Sequence, residues 1–523
     1  MNFQILFSQN TDYIYGTVVD ANTKEPIVFA NIYLKGRELG VISNKDGGFR
    51  FPVQYREMGT VLVISSMGYE PKELSILDFS LEANKVIALK PTLFELTEAV
   101  VTAPSTKKTL SAKDIVINAI DNIEVNYPKN KFAYVGYYRD YQLKNESYVN
   151  LNEAIIKVLD KGFNTLDTVQ TDFLIDYYRS NINFEIDSFA AKKYDYNNWD
   201  KVVPGARIDS YGGNELILLR VHDAIRNHKL NTFSFINDLY KDFINNHDFI
   251  LEGTTYFEGS QVYEISILGD IDNSVVKGKI FIGQQNFAIF KLDYGVSLQV
   301  PFDNDFQNSH YYHSTRKIKE SELIFRVLLE YKRKGEKMFL NFISFKNRFK
   351  VVRPPKFKIN EVIILPEYKT IQVQFNGPPQ KNNRLNRISK YRIMYDEEKV
   401  PLSSMLYIND STLQLRTDAT LQRKRVLLRK LFSTVVDPKK LSLNLEFNIS
   451  DEDGNKLGDR DSQYLYQFRE LMVQEIIPYP TESLLNYQFM NKDLPLFSPN
   501  QPILNTSELE NYWMNTPLQN NKY

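Results

Sequence analysis

The first ninety residues alternate short apolar runs with turn residues. Aromatic and β-branched side chains dominate the runs, and stretches such as YIYGTVV place alternate residues on opposite faces. Turn pairs such as Asp46-Gly47 stand between the runs and supply the backbone angles of tight reversals. About seven strands at intervals of roughly ten residues are typical of a small sandwich. The pattern predicts a seven-stranded antiparallel sandwich of the immunoglobulin or prealbumin type over residues 13–90.

Residues 111–352 combine helical and strand patterns. Ser111 and Asp114 stand at the spacing of a capping box, which predicts that a helix begins there. The run KFAYVGYYRDYQ predicts a strand, and YVNLNEAIIKVLDKGF predicts a strand that passes into a short helix. From Asp248 onward, alternating runs with turns around Asn286 and Gly335 predict hairpins. We therefore expect an α+β domain that contains a helix-packed antiparallel meander or half-barrel.

Residues 353–523 are less regular and predict a C-terminal extension. ATLQRKRVLLRKLFSTV (419–435) predicts a strongly basic helix, for which two interpretations stay open. It could act as an interfacial helix on anionic lipid or as a calmodulin-like ligand, or it could pack its apolar side on the core and expose its basic side. SQYLYQFRELMVQEII (462–477) predicts a second helix whose aromatic stripe faces the core. The whole chain is therefore predicted to be mainly β, with α+β character.

The composition of the chain excludes several classes of partner and of chemical site. Lys and Arg number 64 and so do Asp and Glu, so no net field attracts nucleic acid, and we expect no nucleic-acid partner. The chain has no cysteine, which excludes disulfides, thiolate catalysis and cysteine metal sites. This suits an oxidising envelope compartment, although many other soluble proteins also lack cysteine. No apolar run approaches the roughly 18 residues of a spanning helix, so no transmembrane segment is predicted.

Three segments carry a family resemblance. GTVVDANTKEPIVFANIYLKG, GVISNKDGGFRF and LVISSMGYE resemble the carboxypeptidase-regulatory-like domain of Bacteroidetes envelope proteins, which often precedes a TonB-dependent receptor. LTEAVVTAP (96–104), in the predicted linker 91–110, is similar to the stretch that follows this domain in those receptors. The resemblance implies a location in the cell envelope and a protein partner in the outer membrane or periplasm. Peripheral membrane contact stays open, and residues 1–12 are expected to be a leader or the remnant of an export signal.

Two looser resemblances concern the rest of the chain. YYRDYQ, followed by a Leu-x-Glu-Ala segment, resembles the Bacteroidetes family that joins this β domain to an uncharacterised C-terminal region. The hairpins after Asp248 resemble the half-open β-barrel of bacterial lipoprotein-carrier and sorting factors. That second resemblance implies a concave sheet face able to hold an acyl chain or a peptide strand.

Motifs for catalysis, cofactors and metals are missing from the sequence, so we predict no catalytic, cofactor-binding or metal-binding residue. Zinc carboxypeptidases need a His-x-x-Glu pair, and none of the five histidines has Glu three residues later. His310 and His313 could share a metal if helical, but a loop or strand is expected there. DEDGNKLGDRD (451–461) resembles a calcium loop but has Lys456 where Gly is required, so a hairpin turn is expected. GxSxG, P-loop and GxGxxG motifs do not occur.

Arg139 and Glu153 are the one pair of candidate binding or structural residues. They could form a buried ion pair or carboxylate clamp for a ligand, or a structural salt bridge between neighbouring strands. Two functions follow from the whole sequence. The first is a non-catalytic cell-envelope protein, with a docking sandwich and a C-terminal binding or assembly region. The alternative is an envelope hydrolase of glycan or peptide that uses carboxylates of the C-terminal region, which predicts a pocket with Asp or Glu of raised pKa.

Overall fold

A computed structural model describes most of the chain. The described residues are 13–37, 39–92, 110–181, 183–229, 243–271, 274–299, 323–380, 387–433, 443–480, 487–504 and 512–517. The predicted leader 1–12, the stretch 96–104, most of the linker and both His310 and His313 lie outside them. The chain forms two compact units, residues 1–350 with 464–523, and residues 351–463.

The N-terminal part is the predicted seven-stranded sandwich. Its strands are β1 (Tyr13–Asp20), β2 (Asn31–Leu34), β3 (Gly40–Ile42), β4 (Gly48–Pro52), β5 (Val61–Ser65), β6 (Lys72–Ser75) and β7 (Lys85–Leu89). One sheet has the order β4-β1-β7 and the other β3-β2-β5-β6. In β1 every second residue from Ile14 is buried, as the alternation predicted. The pairing of β1 with β7 is parallel, and the other described pairings of the sandwich are antiparallel.

A large sheet forms the rest of the first unit. Its strands are β8 (Phe132–Lys144), β9 (Ser147–Asp160), β10 (Asp172–Ser180), β11 (Lys201–Val202), β12 (Asp248–Phe257), β13 (Ser260–Ile271), β14 (Ser274–Gly283), β15 (Ile289–Leu298), β16 (Leu323–Lys334), β17 (Lys337–Val352) and β25 (Ser462–Ile477). The order is β10-β9-β8-β25-β17-β16-β15-β14-β13-β12, and β11 pairs with β17. Neighbours from β12 to β17 are antiparallel and consecutive in the chain, which confirms the predicted meander.

Two segments that were predicted to be helical are strands. The second half of YVNLNEAIIKVLDKGF continues β9, and residues 462–477 form β25 between β8 and β17. Both strands are buried on both faces at the centre of the sheet. Apolar residues therefore occur without a period of two, and such a run cannot be distinguished from a buried helix by its pattern.

The first unit also contains short helices. α1 (Gln54–Glu57) and a 3₁₀ turn at Ile76–Asp78 lie within the sandwich. The others are α2 (Ala112–Asp121), α3 (Ile123–Asn126), α4 (Asp167–Gln170), α5 (Glu215–Val221) and α6 (Ile244–Asn246), with a 3₁₀ turn at Tyr211–Gly213. The predicted capping box is present at α2, where Ser111 accepts from the Asp114 amide and Asp114 accepts from the Ser111 amide.

The sandwich packs on one face of the large sheet. Phe342 of β17 and Met472 of β25 belong to the same buried cluster as the sandwich core. The Phe29 ring lies 5.3 Å from the Phe342 ring, and Asn31 donates to Glu330 at 2.8 Å. The two parts therefore share one hydrophobic core.

The second unit is a small β domain inserted between β17 and β25. Its strands are β18 (Ile359–Leu365), β19 (Thr370–Phe375), β20 (Tyr391–Tyr395), β21 (Glu398–Lys399), β22 (Leu402–Tyr407), β23 (Thr412–Thr417) and β24 (Leu443–Phe447). They form sheets in the orders β18-β19-β23-β22 and β21-β20-β24. The division differs from the predicted extension 353–523 because β25 returns to the large sheet, a pairing that no local pattern records.

The basic helix lies in this second unit as α7 (Arg425–Ser433), preceded by a 3₁₀ turn at Gln422–Lys424. Residues 434 and 435 of the predicted span lie outside the described residues. Leu428, Leu431 and Phe432 are buried in the core of the unit, while Arg429 is exposed. Of the two interpretations, this arrangement fits the core-facing helix with a solvated basic side.

Candidate functional site

A cavity of about 200 Å³ lies on the face of the large sheet that carries α5. Strands β8, β9 and β25 provide its floor, and the loops around residues 192, 212 and 495 provide its walls. Its lining residues are Asp140, Gln142, Asn150, Asn152, Ala191, Lys192, Lys193, Gly212, Gly213, Glu215, Gln467, Pro495 and Phe497. Two carboxyl groups, four carboxamides and two lysines thus line the cavity, while apolar atoms supply most of the surface that faces the empty space.

Asp140 is the most perturbed acid of this cavity. It is 3% exposed, and burial together with the charge of Glu215 raises the pKa of Asp140 to about 7. The Tyr138 hydroxyl donates to one carboxyl oxygen at 3.1 Å, and the Asn152 amide donates to the other at 3.1 Å. The carboxyl group therefore changes its protonation near neutral pH, and it can donate or accept a hydrogen bond there.

Three carboxamides form a connected layer beside Asp140. Gln142 donates to Gln467 at 2.8 Å and accepts from Asn150 at 2.9 Å. Asn150 also holds the backbone of the loop that follows β10, because it donates to the Asp187 carbonyl at 2.9 Å. Asn150 has a φ of +53°, a left-handed conformation that Asn tolerates better than most residues. The strand thus bends at Asn150 and aims its amide at the loop.

A buried ion pair lies behind the cavity. Arg469 of β25 donates to Glu215 at the start of α5, to Asn347 at 2.7 Å and to the Tyr194 hydroxyl at 3.1 Å. Arg469 is fully buried, so its planar fork is held by three partners instead of water. This arrangement neutralises the Glu215 carboxylate and fixes where α5 begins on the sheet.

Two further titratable groups are buried near this ion pair. Burial lowers the pKa of Lys201 to about 8, and its ammonium donates to the carbonyls of Ala190 and Lys192 at 2.6 and 2.7 Å. Burial lowers the pKa of His222 to about 4, and its ring stacks on Phe345 at 3.9 Å. Both groups support the loop and the helix that line the cavity.

Arg139 and Glu153 lie on the opposite face of the same sheet. They are register partners on β8 and β9, but their side chains take other partners. Arg139 pairs with Glu470 at 2.5 Å, and Glu153 pairs with Arg179 at 2.8 Å. Burial opposes ionisation of Glu153, but Arg179 and its hydrogen bonds keep the pKa of Glu153 below its ordinary value. The structure therefore does not bring the predicted pair together as an ion pair with each other.

Sequence reasoning missed the residues of the cavity. Asp140 stands next to Arg139 in a strand of aromatic residues, and side chains of adjacent strand residues point to opposite faces. Two neighbouring charges in such a strand indicate that each buried face of the strand carries a charged group. Glu215 and Gln467 carry no such signal, because α5 and β25 reach the cavity through distant parts of the chain.

Metal ligands do not converge among the described residues: no group of three or more His, Asp or Glu side chains lies close enough to hold an ion. At the suspected calcium loop, Asp451 accepts from the backbone and side chain of Asn455, and Ser450 pairs with Lys456. That is the expected tight turn.

The N-terminal sandwich is a carboxypeptidase-regulatory-like domain. Residues 14–101 match the family model described as CarboxypepD_reg-like domain. This confirms the resemblance seen in the sequence, over the part of the chain that the match covers.

A curated relative matches a short stretch of the chain. The chain is 36% identical over 59 residues to the TonB-dependent receptor SusC of Bacteroides thetaiotaomicron. The match covers 11% of this chain and 6% of that receptor, so it concerns a small part of each protein.

Solved structures give weak overall similarity. A LolA superfamily protein from Nitrosomonas europaea is 10% identical, with a TM-score of 0.19, and covers 46% of this chain and 86% of its own. A putative outer membrane lipoprotein-sorting protein domain from Vibrio parahaemolyticus is 10% identical, with a TM-score of 0.20, and covers 45% and 86%. Within the described ranges, no helix has the length and apolarity needed to cross a membrane.

Proposed function

We propose that this chain is a non-catalytic cell-envelope binding protein. Its sandwich docks on a protein partner, and the cavity on its large sheet holds a small polar ligand. The observation that carries the proposal is the cavity of about 200 Å³, whose floor is built from buried carboxamide and carboxyl groups. A concave pocket that combines apolar surface with a few convergent polar groups and an acid of perturbed pKa is typical of a binding site.

The lining favours a ligand rich in hydroxyl groups, such as a sugar. Arg469 offsets the charge of Glu215, and Lys192 and Lys193 also line the cavity, so hydrogen-bond donors and acceptors stand there beside positive charge. Carboxamides donate and accept at once, which matches hydroxyl groups that do the same. Phe497, whose ring stacks on Tyr178 at 5.9 Å, adds an apolar surface for the carbon face of such a ligand.

Three observations support docking in the envelope. The first is that residues 14–101 match the CarboxypepD_reg-like domain family. The second is the short match to SusC, which is named as a TonB-dependent receptor. The third is an exposed edge of the sandwich. β7 ends one sheet of the sandwich in the described chain, and Val86 on it is 65% exposed. An edge strand with an exposed apolar side chain suits strand addition by a partner.

Ligand binding is tested by titrating monosaccharides and short glycans into the full chain and following its melting temperature and its heat of binding. We expect saturable binding that is lost in Asn152→Ala. Asn444→Ala, an exposed change in the second unit, is the matched control and should bind like the wild type. If no glycan binds the wild-type chain, the ligand class proposed here is wrong.

Docking is tested separately by affinity capture from solubilised envelope with the full chain and with Val86→Lys. Capture of an outer-membrane protein by the wild type, reduced in the variant, supports docking. Equal capture by both chains would exclude β7 as the docking strand.

The alternative function is hydrolysis of a glycan or peptide, and one observation favours it. Asp140 and Glu215 line the same cavity, and a carboxyl group with a pKa of about 7 beside a carboxylate is suited to general acid catalysis. Release of reducing ends from glycans, with a bell-shaped pH profile that Asp140→Asn abolishes, would establish this function. Binding without turnover would exclude it.

A further inference from the structure

Residues 512–517 thread between the sandwich and the large sheet. Tyr512 is half-buried, and each residue from Trp513 to Pro517 is buried. Asn515 is only 1% exposed, because the sandwich covers one side of it and the large sheet covers the other. We call the space that holds this segment the interlayer groove; its walls are β4, β8 and β25.

Side chains of the groove hold the main chain of the segment. Gln474 donates to the Trp513 carbonyl at 2.9 Å. Arg50 donates to the Met514 carbonyl at 2.7 Å, and Arg139 donates to the Asn515 carbonyl at 2.9 Å. Three successive carbonyls are thus bound by three different elements. Recognition of an extended main chain in this manner does not depend on which side chains the peptide carries.

The side chains of the segment are also recognised. The Trp513 ring lies 4.4 Å from the Phe51 ring and 5.7 Å from the Tyr55 ring, and its indole donates to the Arg50 carbonyl at 3.1 Å. The Asn515 side chain is bound at both of its polar atoms. Its amide donates to the Ile42 carbonyl at 2.7 Å, and its oxygen accepts from the Arg50 backbone amide at 2.9 Å.

Thr516 completes the recognition at the far end of the groove. Its hydroxyl lies 2.8 Å from a carboxyl oxygen of Glu153 and accepts from Arg50 and Arg179 at 2.7 Å. Glu153, one of the two residues singled out in the sequence, therefore contacts the segment, as Arg139 does.

The groove keeps hydrogen-bonding capacity that this segment does not use. Gln474 Oε1 and Arg179 Nε are buried and have no hydrogen-bond partner among the described residues. A buried polar atom without a partner costs free energy, which a better-matched occupant would recover. The segment is therefore a good ligand for the groove but not an optimal one.

We propose that the interlayer groove is a peptide-binding site and that residues 512–517 occupy it in cis. Its ligand is an extended peptide with the order aromatic, apolar, Asn, Thr. The cis segment then acts as a plug that a peptide from outside must displace. A tethered segment has an effective concentration in the millimolar range, so a peptide of micromolar affinity in trans is excluded about a thousandfold while the segment is intact.

The test uses the full chain with Trp513→Ala and Asn515→Ala, which weaken the plug without removing it. The probe is a fluorescent peptide with the sequence of residues 511–518, followed by anisotropy. We expect the double variant to bind it at least a hundredfold more tightly than the wild type does. The matched control variant is Trp199→Ala with Asn444→Ala, which changes the other, exposed tryptophan and an exposed Asn and should behave like the wild type.

A second measurement keeps the proposal falsifiable if the double variant does not fold. Trp199 and Trp513 are the only tryptophans, so in Trp199→Phe the emission reports Trp513 alone. An unlabelled probe peptide with Phe for Trp, at millimolar concentration, should shift this emission to the red as Trp513 leaves its pocket. A folded double variant that does not bind the probe overturns the proposal, and so does an unchanged emission. A concentration-dependent dimer of the wild type in light scattering, absent in the double variant, would show that a second copy supplies the segment and would overturn occupation in cis.

Discussion

Single residues matter most where charge is buried at the centre of the large sheet. Arg139 and Asp140 are sequence neighbours, yet Arg139 faces the interlayer groove and Asp140 faces the cavity beside α5. The environment of each decides its chemistry: Arg139 is paired with a carboxylate, while Asp140 is held mainly by neutral donors. Two predictions follow from this difference.

Asp140 should make stability depend on pH. Its carboxyl holds a proton to about pH 7 in the folded chain, whereas an unfolded Asp releases it near pH 4. Unfolding therefore releases a proton between these two values, and the free energy of unfolding falls as pH rises through that interval and is then constant. The contribution is about 4 kcal/mol at most, at 1.36 kcal/mol per pKa unit.

Asp140→Asn keeps the neutral form at every pH and should remove this part of the pH dependence. Urea unfolding at pH 5 and pH 8 measures it: the wild type should lose more stability over that interval than the variant does. Identical losses would show that Asp140 is not protonated in the folded chain.

Arg139→Ala should be strongly destabilising. The change leaves the Glu470 carboxylate buried without its charged partner, which typically costs about 3–5 kcal/mol, a large part of the roughly 5–15 kcal/mol by which a folded protein is stable. Lys35→Ala is the matched control, because the Lys35–Glu73 pair is more than half exposed and such pairs contribute about 1 kcal/mol or less. Denaturant unfolding compares the two, and equal effects would contradict the assigned role of Arg139.

At the scale of elements, α2 is specified by its own sequence. Ser111→Ala removes the cap of the helix and should lower stability by about 1 kcal/mol. Ser111→Asp keeps an acceptor and should retain most of that stability. Lys113→Ala, an exposed change in the same first turn, controls for the loss of a side chain. A Ser111→Ala chain as stable as the wild type would mean that packing alone holds α2.

The strands of the large sheet are specified differently. β9 and β25 are buried on both faces, so their sequences are apolar or aromatic at nearly every central position. No local pattern distinguishes such a run from a buried helix. The strand conformation depends on pairing: β9 lies between β10 and β8, and β25 lies between β8 and β17. The hairpins from β12 to β17 were predictable because their turns and alternation are local.

At the scale of the whole molecule, the second unit should fold independently. Among its described residues, sixteen buried hydrophobic side chains form a core of its own around Ile371 and Leu415. Its two ends meet, since the Arg353 amide donates to the Asp461 carbonyl at 2.8 Å. A chain of residues 351–463 should therefore melt cooperatively by circular dichroism, as domains with a core of their own do.

The complementary deletion checks the same prediction. Replacing residues 354–460 by a short Gly-Ser turn should leave the first unit folded, because β17 and β25 are neighbours in the sheet. If neither fragment gives a cooperative transition, the two units are one folding unit.

The sequence by itself determined the sandwich, the helix cap of α2, the meander after Asp248 and the absence of familiar catalytic motifs. All of these depend on spacing between residues that are close in the chain, where turn chemistry and periodicity act. The sequence also identified Arg139 and Glu153 as noteworthy, because charges in an apolar strand are costly unless they are satisfied.

Tertiary structure alone decided what those residues do. It returned β25 to the centre of the sheet and placed residues 512–517 against Arg139 and Glu153. It also joined Asp140, Glu215 and Gln467 around one cavity. These contacts link residues up to hundreds of positions apart, and the free energy of such contacts depends on the packing of both faces of the sheet. No local pattern of hydrophobic and polar residues encodes that packing.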